Sequence, residues 1–212
     1  MRTDDFIEAL AADDRQPRLG LAATLGLALA AGCVVAVVLL ASLAGFRQGL
    51  GAALGTPRVV FKFALMLSLL VPAVCVLRRL AEPGAPIGPW HRWLFLAPAL
   101  AVAALAAEAA VMPVESWSTR MIGQSASFCL TAIPLLAIAP LAALILALRQ
   151  GAPTQPGLTG LFAGLASGCL AGGVYALRCA DDSPFFVMLW FSLAIGIVTV
   201  AGWLIGRRCL RW

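Results

Sequence analysis

The chain has 212 residues, 62% of them hydrophobic and 12% charged, with a formal net charge of +5 and a mean hydropathy of +0.96. It is too apolar for a water-soluble globular domain, and its uncharged stretches run to about 20 residues or more, the length that crosses a ~30 Å hydrocarbon layer. Continuous Leu, Ala, Val and Ile runs exclude a transmembrane barrel, whose strands alternate polar and apolar residues, and the absence of a basic patch interleaved with aromatics argues against direct binding of nucleic acid. The expected class is all-α: a polytopic membrane protein with six transmembrane helices and both termini cytoplasmic.

Residues 1–18 form the polar start, followed by a transmembrane unit over 19–212. Half of the ten acidic residues, Asp4, Asp5, Glu8, Asp13 and Asp14, lie in that start. Its acidity, and the lack of a short apolar core before a small-residue cleavage site, argue against a cleavable signal peptide. Thr3 can cap a helix whose first turn holds Asp4 and Asp5, acids favoured at the positive end of the helix dipole. Phe6, Ile7 and Leu10 then share one face, and Pro17 closes the element. So short a helix is unstable alone. Its acids would be repelled by an anionic leaflet, so it either docks into a groove on a cytoplasmic partner or is a disordered leader.

Apolar runs between charges predict spans at Leu19–Ala44, Val59–Leu77, Trp93–Met112, Gln124–Leu148, Thr159–Leu177 and Pro184–Ile205. With the N-terminus inside, ten arginines (2, 15, 18, 78, 79, 92, 149, 207, 208 and 211) are cytoplasmic, against Arg47, Arg58, Lys62, Arg120 and Arg178 outside. This bias satisfies the positive-inside rule. Outer loops are expected at Gly45–Arg58, Pro113–Gly123 and Arg178–Ser183, and inner connectors at Arg78–Arg92 and Arg149–Leu158. Within the fifth span Gly160, Gly164, Gly168 and Gly172 recur every four residues, a ridge that lets another backbone approach, either within the bundle or across a dimer.

Catalysis finds little support. The single histidine, His91, sits between Trp90 and Trp93 as an interfacial anchor, and no HExxH, GxSxG or phosphate-binding glycine loop is present. Charges inside a bilayer are costly, so Lys62 and Glu108, at similar depth on adjacent antiparallel spans, are expected to form a structural ion pair. The alternative is a small transporter or channel in which both line a pathway. Pro72, Pro98, Pro134 and Pro140 are positioned to break helices, yet few ligating groups surround them.

The six cysteines include no CxxC, which argues against a disulfide-forming enzyme. Cys33, Cys75 and Cys169 lie inside apolar spans, and Cys209 is cytoplasmic. Cys129 and Cys179 instead approach the outer face, on spans joined by a short inner loop that makes them an antiparallel hairpin. Such a pair could form a disulfide, bind a soft metal with Asp181 and Asp182 as added oxygen ligands, or be two unremarkable thiols; Arg178 could favour the Cys179 thiolate.

Several segments together resemble the NrsF-type membrane anti-sigma factors, negative regulators of extracytoplasmic-function sigma factors in proteobacteria. These are Thr3-Asp4-Asp5-Phe6-Ile7 with Leu10-Ala11; Pro156-Gly157-Leu158 through Gly164 and Gly172 into Tyr175-Ala176-Leu177-Arg178-Cys179-Ala180-Asp181-Asp182-Ser183; Trp190; and Gly206-Arg207-Arg208-Cys209-Leu210-Arg211-Trp212. The resemblance covers the whole chain, and Cys-x-Asp-Asp-Ser is its most specific part. It implies a multi-pass protein of the bacterial inner membrane, not an enzyme, whose partners are membrane lipid and a sigma factor of the extracytoplasmic-function class. That factor would be held through Asp4, Asp5, Phe6, Ile7 and Leu10 and released under oxidative or heavy-metal stress. The family's functional thiols map onto Cys129 and Cys179, with no cofactor beyond a soft metal ion as signal. Arg178 departs from the family, where His commonly precedes the second cysteine, which weakens any proposal of a His ligand there.

Overall fold

The computed structural model describes residues 20–82, 84 and 88–211. The expected sigma-binding residues Asp4, Asp5, Phe6, Ile7 and Leu10 lie outside this range. Six helices are long and apolar enough to cross a membrane: Leu21–Leu43, Pro57–Ala81, Trp90–Val111, Ala126–Leu148, Pro156–Ala176 and Pro184–Cys209. Among the described residues there is no strand.

These spans differ from the sequence boundaries at their ends, for local reasons. The second and fifth helices begin at Pro57 and Pro156, each in the first helical turn, where proline's missing N–H costs nothing and its fixed φ suits a helix. Reading from the first uncharged apolar residue places both starts too late. The third span is interrupted at Leu94 and Phe95, between Trp90–Trp93 and Leu96–Val111. Loops expected to be irregular carry short helices at Leu50–Leu54 and Trp117–Ile122. Pro72, Pro134 and Pro140 do not end their helices. Pro140 is instead buried against the first span, where a Cβ on Gly32 would collide with its backbone.

The core is the fifth span, the most thoroughly buried of the six. Its glycine ridge faces the sixth span: a Cβ on Gly160 would meet the Gly202 carbonyl, and one on Gly164 would lie 2.6 Å from the Val198 carbonyl. Gly202 and Gly206 return the arrangement, so two backbones touch through small residues on both sides. Further along, Gly168 meets Ile195 and Gly172 meets Met66 of the second span. The ridge is therefore used inside the bundle and is not free to dimerise.

Contacts sort the ends of the spans into two layers. Gly151 packs near Ala81 and Leu21, and Arg149 reaches the Cys209 carbonyl, at the end carrying the first residues of the first span and the last of the sixth. Arg47, Lys62, Glu108, Gln124 and the 179–183 segment gather at the opposite end. Gly160→Leu or Gly202→Leu should separate the fifth and sixth spans and destabilise the protein by roughly 2 kcal/mol or more. Gly173→Ala, where added atoms meet nothing within 4 Å, should leave thermal unfolding in detergent unchanged.

Candidate functional site

The fifth helix ends at Ala176, but the chain folds over its last turn, with the N–H groups of Arg178 and Cys179 donating to the Tyr175 carbonyl at 2.9 and 3.0 Å. This curl turns Cys179 inward, where it is 2% exposed. The segment then runs extended to Pro184, which opens the sixth helix. Five residues from Val187 to Phe191 form a π turn, the wider winding often found at functional sites, and Phe186, Val187 and Phe191 are all fully buried under the loop.

Two consecutive aspartates tie this loop to the rest of the bundle. Asp181 accepts hydrogen bonds from the backbone N–H groups of Gln124, at 3.2 Å, and Ser125, at 2.9 Å. It thereby caps the start of the fourth helix from a distant part of the chain, satisfying donors that a helix leaves unpaired. Cys129 sits in the first turn of that helix, fully buried, its N–H bonded to the Ser125 carbonyl at 2.8 Å. Asp182 turns the other way. Its Oδ2 accepts from Arg47 Nη1, and its Oδ1 lies 2.7 Å from Lys62 Nζ in a charge contact without hydrogen-bond alignment. Arg47 also donates its backbone N–H to the Leu177 carbonyl at 3.1 Å, clamping the loop from both ends.

Lys62 is completely buried, 3.4 Å from the Cys179 carbonyl and 5.7 Å from the Phe191 ring centroid. So deep an ammonium requires compensation, and Asp182, the carbonyl and the ring face supply it. The expected pairing of Lys62 with Glu108 is therefore corrected. Glu108 is held by Arg58, at 3.0 and 3.1 Å, and by Arg120, at 3.0 Å. Arg58 and Lys62 are one turn apart on the second span; Arg58 is the one that meets the third span, while Lys62 faces the interior and the descending loop.

The structure brings Cys129 and Cys179 together. The two side chains lie within electrostatic reach of one another and of Lys62, and the Tyr175 hydroxyl hydrogen-bonds Cys179. Both are free thiols here, and the Cys179 Sγ donates to the Asp181 carbonyl at 3.7 Å. Burial pushes the Cys179 thiol up from its ordinary value, with the Lys62 ammonium opposing. The cation that favours its thiolate is thus Lys62 and not Arg178. Nor are the aspartates free oxygen ligands, because both carboxylates are committed to other partners. Among the described residues no group of three or more His, Cys, Asp or Glu could hold a metal ion. Two thiols alone suit a two-coordinate soft ion or a disulfide.

Beside the loop that follows Cys179 opens a cleft of about 740 Å3, lined by Arg58, Arg120, Gly123, Gln124 and the Ala180–Ser183 segment. Gly123, with φ of +59°, makes the turn beneath it, where a Cβ would collide with the Phe186 ring. Arg47, Arg58 and Arg120 were not singled out as site residues from the sequence, where they read only as loop or span-end charges. The signal available was the placing of Glu108, Glu115, Asp181 and Asp182 near one end of a chain whose one other acid beyond residue 18 is Glu82.

Lys62→Met should destabilise the protein by about 3 kcal/mol, since it leaves Asp182 with one partner in place of two. Asp182→Asn should do likewise, and the double variant should lose clearly less than the sum, as read from thermal unfolding in detergent. Alkylation of Cys179 by a maleimide, followed in a Cys129→Ser background, should be slow at neutral pH and accelerate only above the range of an ordinary thiol near 8.5. In Lys62→Met the thiol loses its favourable cation, so the profile should move to still higher pH.

The family model described as "NrsF: Negative regulator of sigma F" matches residues 10–212. The chain is 32% identical to the probable anti-sigma-F factor NrsF of Azospira oryzae, with 100% of both chains covered. It is 34% identical to the anti-sigma-F factor NrsF of Caulobacter vibrioides, again over the full length of both. No solved structure matches. A six-helix bundle with Cys129, Cys179, Asp181 and Asp182 at one end, matched along its length by these regulators, belongs to the NrsF family of negative regulators of sigma F.

Proposed function

We propose that this chain is an anti-sigma factor of the bacterial inner membrane that sequesters an extracytoplasmic-function sigma factor through residues 1–18. It releases that factor when Cys129 and Cys179, facing the outer side, react with an oxidant or a soft metal ion. The observation that carries the sensing half is the burial of Cys129, at the start of the fourth helix, within electrostatic reach of Cys179, which sits on a loop held by charges and not by apolar packing alone.

Orientation is supported by the count of arginines at each end. At the thiol end Arg47 and Lys62 share Asp182, and Arg58 and Arg120 share Glu108. At the other end Arg78, Arg79, Arg149, Arg207 and Arg208 form no ion pair among the described residues. The side richer in arginine is favoured as the cytoplasmic one, which supports the reading with the thiols outside and residues 1–18 inside.

A small oxidant or ion enters at the cleft, whose lining includes Ala180 beside Cys179; both thiols are buried, so the loop must shift for it to reach them. A two-electron oxidant joins the two sulfurs and takes up both electrons as two protons leave; a soft metal ion displaces both protons and binds two thiolates. The second reaction leaves the net charge of the site unchanged but ties the Cys179 sulfur to the fourth helix, ending its contact with the Asp181 carbonyl, and the first draws the loop toward the same helix. Either loosens the Asp182 clamp on the first outer loop and the second span. Reversing a 99:1 preference for the holding state needs about 5.5 kcal/mol of differential stabilisation, of which a disulfide typically supplies about 2–4 kcal/mol, so the loss of the Asp182 clamp must contribute the rest. A transporter reading draws no support from Lys62 and Glu108, which belong to separate ion-pair clusters at one end of the bundle.

Deleting residues 1–14 should abolish co-purification of the sigma factor with the membrane fraction, while Cys129→Ser and Cys179→Ser should retain it but no longer release it under oxidant or cadmium. Retention of the factor by the deletion variant would refute the tether. Normal release from both serine variants would refute the sensor.

A further inference from the structure

Between the fourth and sixth spans runs an apolar groove of about 790 Å3. Its floor is the buried Ala137, Leu141 and Val198, and the small Ala142 and Ala201 make the recess. Ile138 and Ile197, 61% and 50% exposed, form its rims. Both walls end in arginine. Arg149 lines the groove itself, one turn beyond Ile145, and Arg208 follows Ile205 at the spacing that keeps it on the same helix face. Arg149 is anchored across the two helices by donating Nε–H to the Cys209 carbonyl at 3.3 Å. Arg207 is turned away onto the Trp203 ring, 4.6 Å from its centroid. Neither Arg149 nor Arg208 forms an ion pair among the described residues, and both are exposed.

We propose that this groove is a binding site for one anionic phospholipid, an acyl chain lying in the groove with its phosphate between Arg149 and Arg208. The eleven steps from Ile138 to Arg149 rise about 16 Å, the depth of one leaflet of a ~30 Å hydrocarbon layer. Exposed guanidinium groups at headgroup level supply the charge complement that phosphate requires. A second copy of the chain is the poorer occupant, since a two-fold contact along this face would bring like-charged arginines together at its mouth. The lipid would brace the fourth span, which carries Cys129, against the sixth; the proposal does not depend on the sensing reaction.

Native mass spectrometry of the full-length protein, released from detergent with equal amounts of phosphatidylglycerol and phosphatidylcholine, tests this. One phosphatidylglycerol should be retained per chain, at least tenfold in preference to phosphatidylcholine. Arg149→Gln with Arg208→Gln should erase the preference while an acyl lipid is still held. Ala201→Trp, or Ala142→Phe where the first fails to fold, should fill the recess and remove the retained lipid. Equal retention of the two lipids by the unmodified protein, retention unaffected by the filling variant, or a dimer without bound lipid would each overturn the proposal.

Discussion

A fully buried ammonium is the constraint on which the thiol end of this bundle depends. Lys62 enters the interior from the second span and has no water to solvate it, so whatever compensates it must come from other segments. Asp182 is the anion that does so, and to reach it the chain after the fifth span must descend into the bundle. That descent carries Cys179 inward, aims Asp181 at the start of the fourth helix and brings Arg47 over from the first loop. One charge requirement therefore organises segments of the first loop and of the second, fourth, fifth and sixth spans.

The remainder of the bundle rests on a different principle. In lipid there is little hydrophobic gain in bringing helices together, so the fifth and sixth spans associate through close backbone packing, with glycine facing glycine. This makes the fifth span a rigid post and leaves the loop at its end as the element whose attachments are polar. Apolar packing is insensitive to redox state or to soft ions. The loop's charge contacts instead surround two thiols, and under the proposed function the division between a packed post and a charged latch suits a regulator that must hold in one state and yield in another.

Much of this was legible in the residues. Long uncharged runs determine helices because a backbone in hydrocarbon must satisfy its own hydrogen bonds, and six such runs are plain. The glycine period in the fifth span announced a close contact, though not which helix would fill it. Cys129 and Cys179 stood out because only they pair topologically near one end. Helix starts at Pro57 and Pro156 were missed because a charge or a proline reads as a loop when local context is ignored. The wrong assignment of Lys62 to Glu108 has a related cause: depth and adjacency predict that charges are near, but not which way each helix is rotated.

The sequence by itself determined the solvent, the number of apolar spans, the excess of arginine at one end and the kinship of the chain, because each depends on composition and order along the polymer. Only the tertiary structure decided the partners. Helix rotation put Lys62 inside and Arg58 toward Glu108, and the loop's path gave Asp181 to a helix end and Asp182 to a buried cation. Those choices are set by the mutual orientation of helices far apart in the chain, where a difference of one residue around a turn changes which charge meets which.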